Sequence, residues 1–212
     1  MKRASIAHVP GLDGLRGVAV IGVLLFHAGG LLRGGYLGVD LFFVLSGYLI
    51  TSILLFEHEE RGRVDLRAFW IRRARRLLPA LLALMPAVAL YARALAKPEE
   101  LASLRADALA TLAYVANWRA VLARRSYWEM FAAPSPLEHT WSLAIEEQFY
   151  VVWPLVVGAV LARRGRTALL ALTLGLAVAS AAAMFLLYEG GDTTRVYLGT
   201  DTRGAAILVG AA

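Results

Sequence analysis

The sequence contains no cysteine and only four histidines. The absence of cysteine excludes a disulfide framework and thiolate chemistry, and four scattered histidines argue against a multi-histidine metal site. Charged residues are also scarce, at 18% of the chain, whereas hydrophobic residues make up 59% of its 212 positions. Soluble domains use about 45 to 50% apolar residues. This balance indicates a protein whose solvent is lipid.

The few charges collect in clusters between apolar stretches, many of which approach the roughly 20 residues that cross a bilayer core as a helix. The net charge is +6, a balance that is also found in nucleic-acid-binding proteins. Basic residues confined to the connections between apolar segments are better explained by membrane orientation. The sequence therefore predicts an all-α, polytopic transmembrane helix bundle with membrane lipid as a partner, no nucleic acid and no metal.

Apolar segments predict the membrane helices. Two predicted spans, 18–32 and 36–56, are joined by a short link at Arg33-Gly34-Gly35 and should form an antiparallel pair. Further spans are expected over residues 77–92, 149–162, 168–188 and 204–212. The last range is shorter than a crossing helix needs. We therefore expect one transmembrane domain, residues 1–212, that is truncated in its last helix and lacks later helices.

A dense basic stretch separates the second and third predicted spans. It carries seven arginines, namely Arg61, Arg63, Arg67, Arg72, Arg73, Arg75 and Arg76. Connections rich in lysine and arginine stay on the cytoplasmic side of a membrane. The amino terminus is then cytoplasmic as well, and the protein is expected to be a multi-pass protein of the cytoplasmic membrane.

The segment 101–123 has a helical pattern but carries Arg105, Asp107 and Arg119. Insertion costs a few kcal/mol per central charge. If this segment crossed fully, the cluster at Arg163 would lie outside. If it is interfacial or re-entrant, the cluster lies inside, and we favour this second alternative.

His27 and Asp40 are ionisable residues within predicted spans, on either side of a turn near Gly34. At 1.5 Å per residue, both are expected about 10 Å below that turn on neighbouring helices. There the carboxylate would orient the imidazole as a general base for an alcohol. The alternative is a pair that only pins two helices, or a hydrated Asp40. Function is the default hypothesis for intramembrane ionisable groups.

Arginines in three places each allow two interpretations. Arg16 is either a positive-inside anchor or a guanidinium that holds a phosphate or a carboxylate. Asp201 and Arg203 are either a helix cap with an interface anchor or part of a site. The third group, called the arginine run below, comprises Arg72, Arg73, Arg75 and Arg76. It is either a topology signal that binds anionic headgroups or the binding site of a donor with several phosphates.

The residues that lead into the predicted span 149–162 carry many functional groups. Glu146 cannot face hydrocarbon cheaply, and Trp141 fits an interfacial aromatic belt, so we expect an aqueous cavity at the outer face. The alternative is that Glu146 and Glu147 only complement the dipole at a helix N-terminus. That alternative does not require the neighbouring His139, which we expect at a substrate site together with Trp141 and Arg203.

Five stretches of the sequence resemble, in order, the motifs of the bacterial membrane acyltransferases called acyltransferase family three. They are residues 11–27 (GLDGLRGVAVIGVLLFH), 35–51 (GYLGVDLFFVLSGYLIT), 69–79 (FWIRRARRLLP), 139–154 (HTWSLAIEEQFYVVWP) and 197–203 (YLGTDTR). By this resemblance, Arg16 and His27 match the arginine and histidine that the family needs for activity, and Glu146 matches the carboxylate of its WSLxxExQFY motif. Other matched motif positions are Asp40, Arg72, Arg73, Arg76, His139 and Arg203.

The resemblance implies transfer of an acyl group, usually acetyl, from cytoplasmic acyl-CoA to a hydroxyl of an extracytoplasmic carbohydrate or glycolipid. In the expected mechanism His27, oriented by Asp40 or Glu146, deprotonates the acceptor hydroxyl, which attacks the thioester directly. An acyl-histidine relay is the alternative path. The competing classes are a transporter or flippase, because charges inside a helix bundle also mark substrate paths, and a non-catalytic membrane scaffold.

Overall fold

The computed structural model describes residues 9–123, 135–188, 190 and 193–212, and all regular structure in these ranges is helical. The helices are α1 (Pro10–His27), α2 (Leu37–Arg61), α3 (Leu66–Ala94), α4 (Pro98–Leu112), α5 (Ala116–Leu122), α6 (Thr140–Leu186), α7 (Thr194–Leu198) and α8 (Thr200–Ala211). Within the described residues, α1, α2, α3 and α6 are long and apolar enough to cross a membrane. The prediction of an all-α chain with several membrane-spanning helices is confirmed.

The first helix differs from its predicted range, 18–32, at both ends. It begins at Pro10, because proline at the first helical position has no N–H to satisfy and a φ already suited to a helix. It ends at His27, and Gly29 and Gly30 follow with φ angles of 78° and 74°. These left-handed conformations stop the helix, so His27 lies at its carboxyl end.

The third helix begins well before its predicted start at residue 77. Asp65 caps it, because its side-chain carboxylate accepts a hydrogen bond of 2.9 Å from the backbone N–H of Ala68. The arginine run therefore lies on α3. The prediction that it forms a loop between two spans is wrong.

The charged segment 101–123 is divided into α4 and α5. The break falls at Tyr114, whose φ of 54° lies in the left-handed region and ends a continuous helix. The two helices have 15 and 7 residues, fewer than the roughly 20 that cross a bilayer. This division agrees with the expectation that the segment does not cross as one helix.

The two predicted spans 149–162 and 168–188 belong to one element, α6. Its backbone is interrupted at Gly165, which has a φ of 76° and a ψ of −173°. Glycine adopts this conformation without steric cost. The basic link is therefore a kink between two helical halves.

The chain divides into two compact units. Unit 1 comprises Met1–Val64, Val152–Ala183 and Arg203–Ala212, and unit 2 comprises Asp65–Val151 and Met184–Thr202. Unit 1 thus contains α1, α2, much of α6 and most of α8. Unit 2 contains α3, α4, α5, α7 and the beginning of α6.

Unit 1 is held together by close helix packing at glycines. A Cβ atom added at Gly38 of α2 would overlap the carbonyl of Ala19, so α1 and α2 approach to backbone contact. A Cβ at Gly47 of α2 would overlap the carbonyl of Ile207 in α8. Small residues allow helices to approach in this way where no hydrophobic driving force exists in lipid.

Unit 2 has a buried polar core around Asn117, whose side chain is fully buried. Its amide nitrogen donates to the carbonyl of Leu198 at 3.0 Å and to the hydroxyl of Thr200 at 2.9 Å. The amide nitrogen of Gln148 donates to the Asn117 side-chain oxygen at 2.9 Å and to the Tyr114 carbonyl at 2.8 Å. Thr200 in turn donates to Gln148 at 2.6 Å. This network links α5 and α6 to the residues around α7.

Candidate functional site

The predicted site residues divide between the two units. Unit 1 holds Arg16, His27, Asp40 and Arg203. Unit 2 holds Arg72, Arg73, Arg75, Arg76, His139, Trp141 and Glu146.

Asp40 and Arg203 form an ion pair in unit 1. The Asp40 Oδ1 atom lies 2.8 Å from the Arg203 Nη2 atom, and the two side chains are 28% and 10% exposed. The guanidinium carbon of Arg203 also lies 5.8 Å from the centre of the Phe43 ring. The structure thus brings two predicted site residues, Asp40 and Arg203, into contact. In this contact the Asp40 carboxylate pairs with an arginine, whereas the sequence predicts that it orients His27.

The expected common depth of His27 and Asp40 is wrong. Gly38 of α2 packs against the carbonyl of Ala19 in α1, and the antiparallel register then places Asp40 opposite Gly17. His27 lies ten positions further along α1, which is about 15 Å at 1.5 Å per residue. The physical reason is the early end of α1, which leaves a long connection where sequence spacing suggests a tight turn.

The imidazole of His27 is oriented by its own helix. Its Nδ1 atom lies 2.8 Å from the backbone carbonyl oxygen of Val23. A carbonyl only accepts hydrogen bonds, so Nδ1 carries the proton and the lone pair of the neutral ring is on Nε2. The side chain is exposed. A general base therefore needs no carboxylate to set its tautomer here.

Arg16 is placed near the level of Asp40, since it precedes Gly17 in α1. Its Nη1 atom lies 3.7 Å from Asp13 Oδ1, and both side chains are substantially exposed, at 33% and 56%. Exposed pairs at this spacing contribute little stability. Both interpretations of Arg16, an anchor and a ligand for an anion, stay predictions.

Unit 2 contains a cluster around Arg73. Its Nε atom donates to Glu147 Oε1 at 3.3 Å, and its guanidinium carbon lies 3.2 Å from the centre of the Tyr150 ring. The hydroxyl of Tyr150 donates to Glu146 Oε2 at 3.2 Å. Glu146 is thus connected to Arg73 through an aromatic side chain of the same motif.

The structure separates the members of the arginine run. Arg72, Arg75 and Arg76 are exposed, whereas the Arg73 side chain is 17% exposed. Guanidinium groups at a protein surface suit the binding of phosphates. The donor-binding role of the run stays a prediction, and the Arg73 side chain contacts the Glu147 carboxylate.

Trp141 is not placed in an exposed aromatic belt. It is 3% exposed, and its ring centre lies 5.2 Å from that of Tyr197. The hydrophobic ring packs inside unit 2, which explains its burial. His139 is exposed, and its backbone carbonyl accepts a hydrogen bond of 3.4 Å from the hydroxyl of Ser142. A substrate role for His139, Trp141 and Arg203 stays a prediction.

Sequence reasoning missed several polar contacts of unit 2. Asp201 accepts two hydrogen bonds from Arg195, at 2.9 and 2.6 Å, and these bonds lower the pKa of Asp201. Glu147 was read only as a charge near a helix end, although it contacts Arg73. The hydrogen bond between Tyr150 and Glu146 could have been predicted from their i, i+4 spacing, because such residues share a helix face.

Within the described ranges, no group of three or more histidine or acidic side chains is arranged to hold a metal ion. The exposed guanidinium groups of the arginine run have the charge and geometry that suit an anionic molecule. Unit 1 contains the His27 imidazole and the Asp40 carboxylate, and unit 2 contains the Glu146 carboxylate and the arginine run. Such groups can move a proton and bind phosphates.

A family model described as an acyltransferase domain matches residues 9–210. The chain is 46% identical to the peptidoglycan O-acetyltransferase OatA of Listeria monocytogenes, over 99% of this chain and 34% of that protein. It is 47% identical to YrhL of Bacillus subtilis, a candidate peptidoglycan O-acetyltransferase, over 97% of this chain and 33% of YrhL.

The chain thus spans about a third of the length of these curated relatives. No solved structure matches it. Because the family model covers nearly all of the sequence and every predicted site residue, the chain belongs to acyltransferase family three.

Proposed function

We propose that the protein is a membrane O-acetyltransferase that moves an acetyl group from cytoplasmic acetyl-CoA to a hydroxyl of an extracytoplasmic carbohydrate. The observation that carries this proposal is the family match over residues 9–210, which includes all the site residues from Arg16 to Arg203. The names of OatA and YrhL give peptidoglycan as their acceptor. We therefore propose peptidoglycan, or a related cell-wall glycan, as the acceptor here.

In this proposal His27 is the general base. With its Nδ1 proton held by the carbonyl of Val23, the Nε2 atom accepts the proton of the acceptor hydroxyl. The hydroxyl oxygen attacks the thioester carbonyl, the new C–O bond forms and the C–S bond breaks. His27 then returns the proton to the leaving thiolate. In the acyl-histidine alternative, the same nitrogen attacks the thioester first.

The carboxylate of Glu146 is the second group that we assign to the reaction, because it occupies the motif position and accepts a hydrogen bond from Tyr150. Arg16 is assigned to the stabilisation of developing negative charge. Neither role requires Asp40 to orient His27. Asp40 is instead assigned to the ion pair with Arg203.

The donor is proposed to bind at the exposed members of the arginine run, which are Arg72, Arg75 and Arg76. Several guanidinium groups on one helix suit a nucleotide with several phosphates. The positive-inside rule favours the cytoplasm for this basic region, and with it for the amino terminus. The acceptor is then reached from the opposite side of the membrane.

The test uses the full-length protein in detergent with acetyl-CoA, carrying a labelled acetyl group, and soluble peptidoglycan fragments. Both free CoA and label on the glycan should appear with the wild-type protein. The variant His27→Gln should give neither while eluting from gel filtration as the wild type does. His58→Gln, in the last turn of α2, is the matched control and should stay active.

A variant His27→Gln with unchanged turnover would remove His27 from the mechanism. The transporter alternative makes a different prediction. A transporter or flippase releases no CoA, so a wild-type protein that binds glycan fragments without thiol release contradicts the proposed function.

A further inference from the structure

The Arg73 side chain makes two contacts within unit 2, one with a carboxylate and one with an aromatic ring. Its Nε–H contacts the Glu147 carboxylate at 3.3 Å, and the two side chains are 17% and 11% exposed. Its guanidinium plane is engaged by the ring of Tyr150, with 3.2 Å between the guanidinium carbon and the ring centre. An arginine that is stacked and charge-paired is restricted in orientation. Arg73 is also less exposed than Arg72, Arg75 and Arg76.

The side chain of Tyr150 transmits this restriction to Glu146. The tyrosine is 2% exposed, and its backbone carbonyl accepts a hydrogen bond of 3.1 Å from the indole N–H of Trp70, another residue of α3. Its hydroxyl donates to Glu146 Oε2 at 3.2 Å. A ring that is buried, stacked and anchored holds its hydroxyl in one place. One oxygen of Glu146 is therefore fixed by contacts that begin at α3.

The pKa of Tyr114, in the connection between α4 and α5, responds to the charges of Glu147 and Arg73. Burial raises the pKa of its phenol, the Glu147 carboxylate raises it further and the Arg73 guanidinium opposes the rise. Its backbone has a φ of 54°, a strained conformation for a non-glycine residue that often marks functional regions. The cluster on α3 and α6 thus extends to the connection between α4 and α5.

We propose that Arg73 is a positioning residue for the Glu146 carboxylate and is not a ligand of the donor phosphates. Glu147 is the counter-ion of Arg73, and Tyr150 carries the positional constraint from Arg73 to Glu146. The two adjacent glutamates therefore have different roles. This inference rests on the proposed acetyl transfer, and it divides the arginine run into one positioning residue and three exposed donor-binding residues.

The kinetics of acetyl transfer by the full-length protein test this division, because positioning changes kcat whereas donor binding changes KM for acetyl-CoA. We expect Arg73→Gln to lower kcat about tenfold to a hundredfold, the scale of a small misplacement of a reacting group, with KM for acetyl-CoA unchanged. Arg75→Gln should raise KM instead. Arg93→Gln, an exposed arginine at the end of the same helix, is the matched control and should behave as the wild type.

Two conservative variants keep the test decisive if Arg73→Gln does not fold, as judged by gel filtration. Tyr150→Phe retains the ring and removes the hydrogen bond to Glu146, so kcat should fall about threefold to tenfold, the value of one hydrogen bond. Arg73→Lys retains the charge and loses the planar stack, and kcat should fall with KM unchanged.

The outcomes are distinguishable. If Arg73→Gln or Arg73→Lys raises KM and leaves kcat intact, Arg73 belongs to the donor site and the inference is overturned, while acetyl transfer stands. Wild-type kinetics of Tyr150→Phe also overturn it. If the wild-type protein transfers no acetyl group, the proposed function fails first, and the inference fails with it.

Discussion

The carboxylate of Asp40 and the guanidinium of Arg203 lie 2.8 Å apart and join α2 to α8. The arginine side chain is only 10% exposed, so it is largely removed from solvent. When one partner of such a pair is removed, a desolvated charge is left behind, and this costs more than the intact pair contributes. The pair therefore makes the packing of α8 dependent on Asp40.

We expect Asp40→Asn and Arg203→Gln each to lower the stability of the protein. In a double-mutant cycle the two changes should be non-additive by about 1 to 3 kcal/mol, because they remove the same contact. The free energy of unfolding in denaturant, measured for the full-length protein in detergent, gives the coupling energy. Additive effects would show that the two side chains do not support each other.

Gly47 marks the closest approach of α2 and α8. In Gly47→Ala the added Cβ overlaps the carbonyl of Ile207, so α8 has to shift, at a cost of about 1 to 3 kcal/mol. Gly175→Ala is the matched control, since nothing lies within 4 Å of its added Cβ. Thermal unfolding should show a lower Tm for Gly47→Ala, and a Tm for Gly175→Ala that is unchanged or slightly higher. Equal Tm values for both variants would contradict the packing described for unit 1.

Hydropathy predicted the existence of the membrane helices but not their ends. The arginine run was expected in a loop because charges are costly in lipid, yet Asp65 caps a helix that starts before it. The common depth of His27 and Asp40 failed for a related reason. Counting residues from a turn requires knowledge of where the first helix ends, and Gly29 and Gly30 end it early.

The partners of the site residues were beyond sequence reasoning because they are distant in the chain. Asp40 pairs with Arg203, and Arg73 pairs with Glu147. Motif resemblance identified three of these four positions, Asp40, Arg73 and Arg203, but not Glu147. It gave none of the pairings, since a motif records residue types but not their contacts. The neighbour in sequence, Glu146, was the expected carboxylate, and only the fold shows that the two glutamates face different partners.

Replacement of Asn117 tests the buried polar network of unit 2. Asn117→Ala leaves the Leu198 carbonyl and the Gln148 amide without this partner in a buried place, which costs about 1 to 3 kcal/mol for each unsatisfied group. The Tm should fall clearly. Ser142→Ala removes a single hydroxyl at an exposed hydrogen bond and serves as the control, with a Tm near that of the wild type. A Tm for Asn117→Ala equal to the control would contradict the network.

The lowered pKa of Asp201 predicts that the protein becomes less stable in acid. Hydrogen bonds from Arg195 lower the pKa of Asp201 from its ordinary value of 3.8. Below that ordinary value the unfolded chain binds the proton more readily than the folded chain. The stabilising contribution is present above pH 3.8 and is lost as the pH falls through the lower folded value.

The variant Asp201→Asn lacks this titration. The difference in Tm between wild type and variant should therefore be constant near neutral pH and shrink in strongly acidic buffer. A Tm difference that does not change on acidification would show that the pair with Arg195 does not stabilise the folded protein.

The most direct test of the central claim is the mass of the cell-wall glycan in cells that express the full-length protein. If His27 is the base of an acetyl transfer across the membrane, glycan fragments from these cells should carry an added acetyl group. Cells that express His27→Gln at the same membrane level should give unmodified fragments. Equal acetylation in the two strains, or none in either one, would contradict the account.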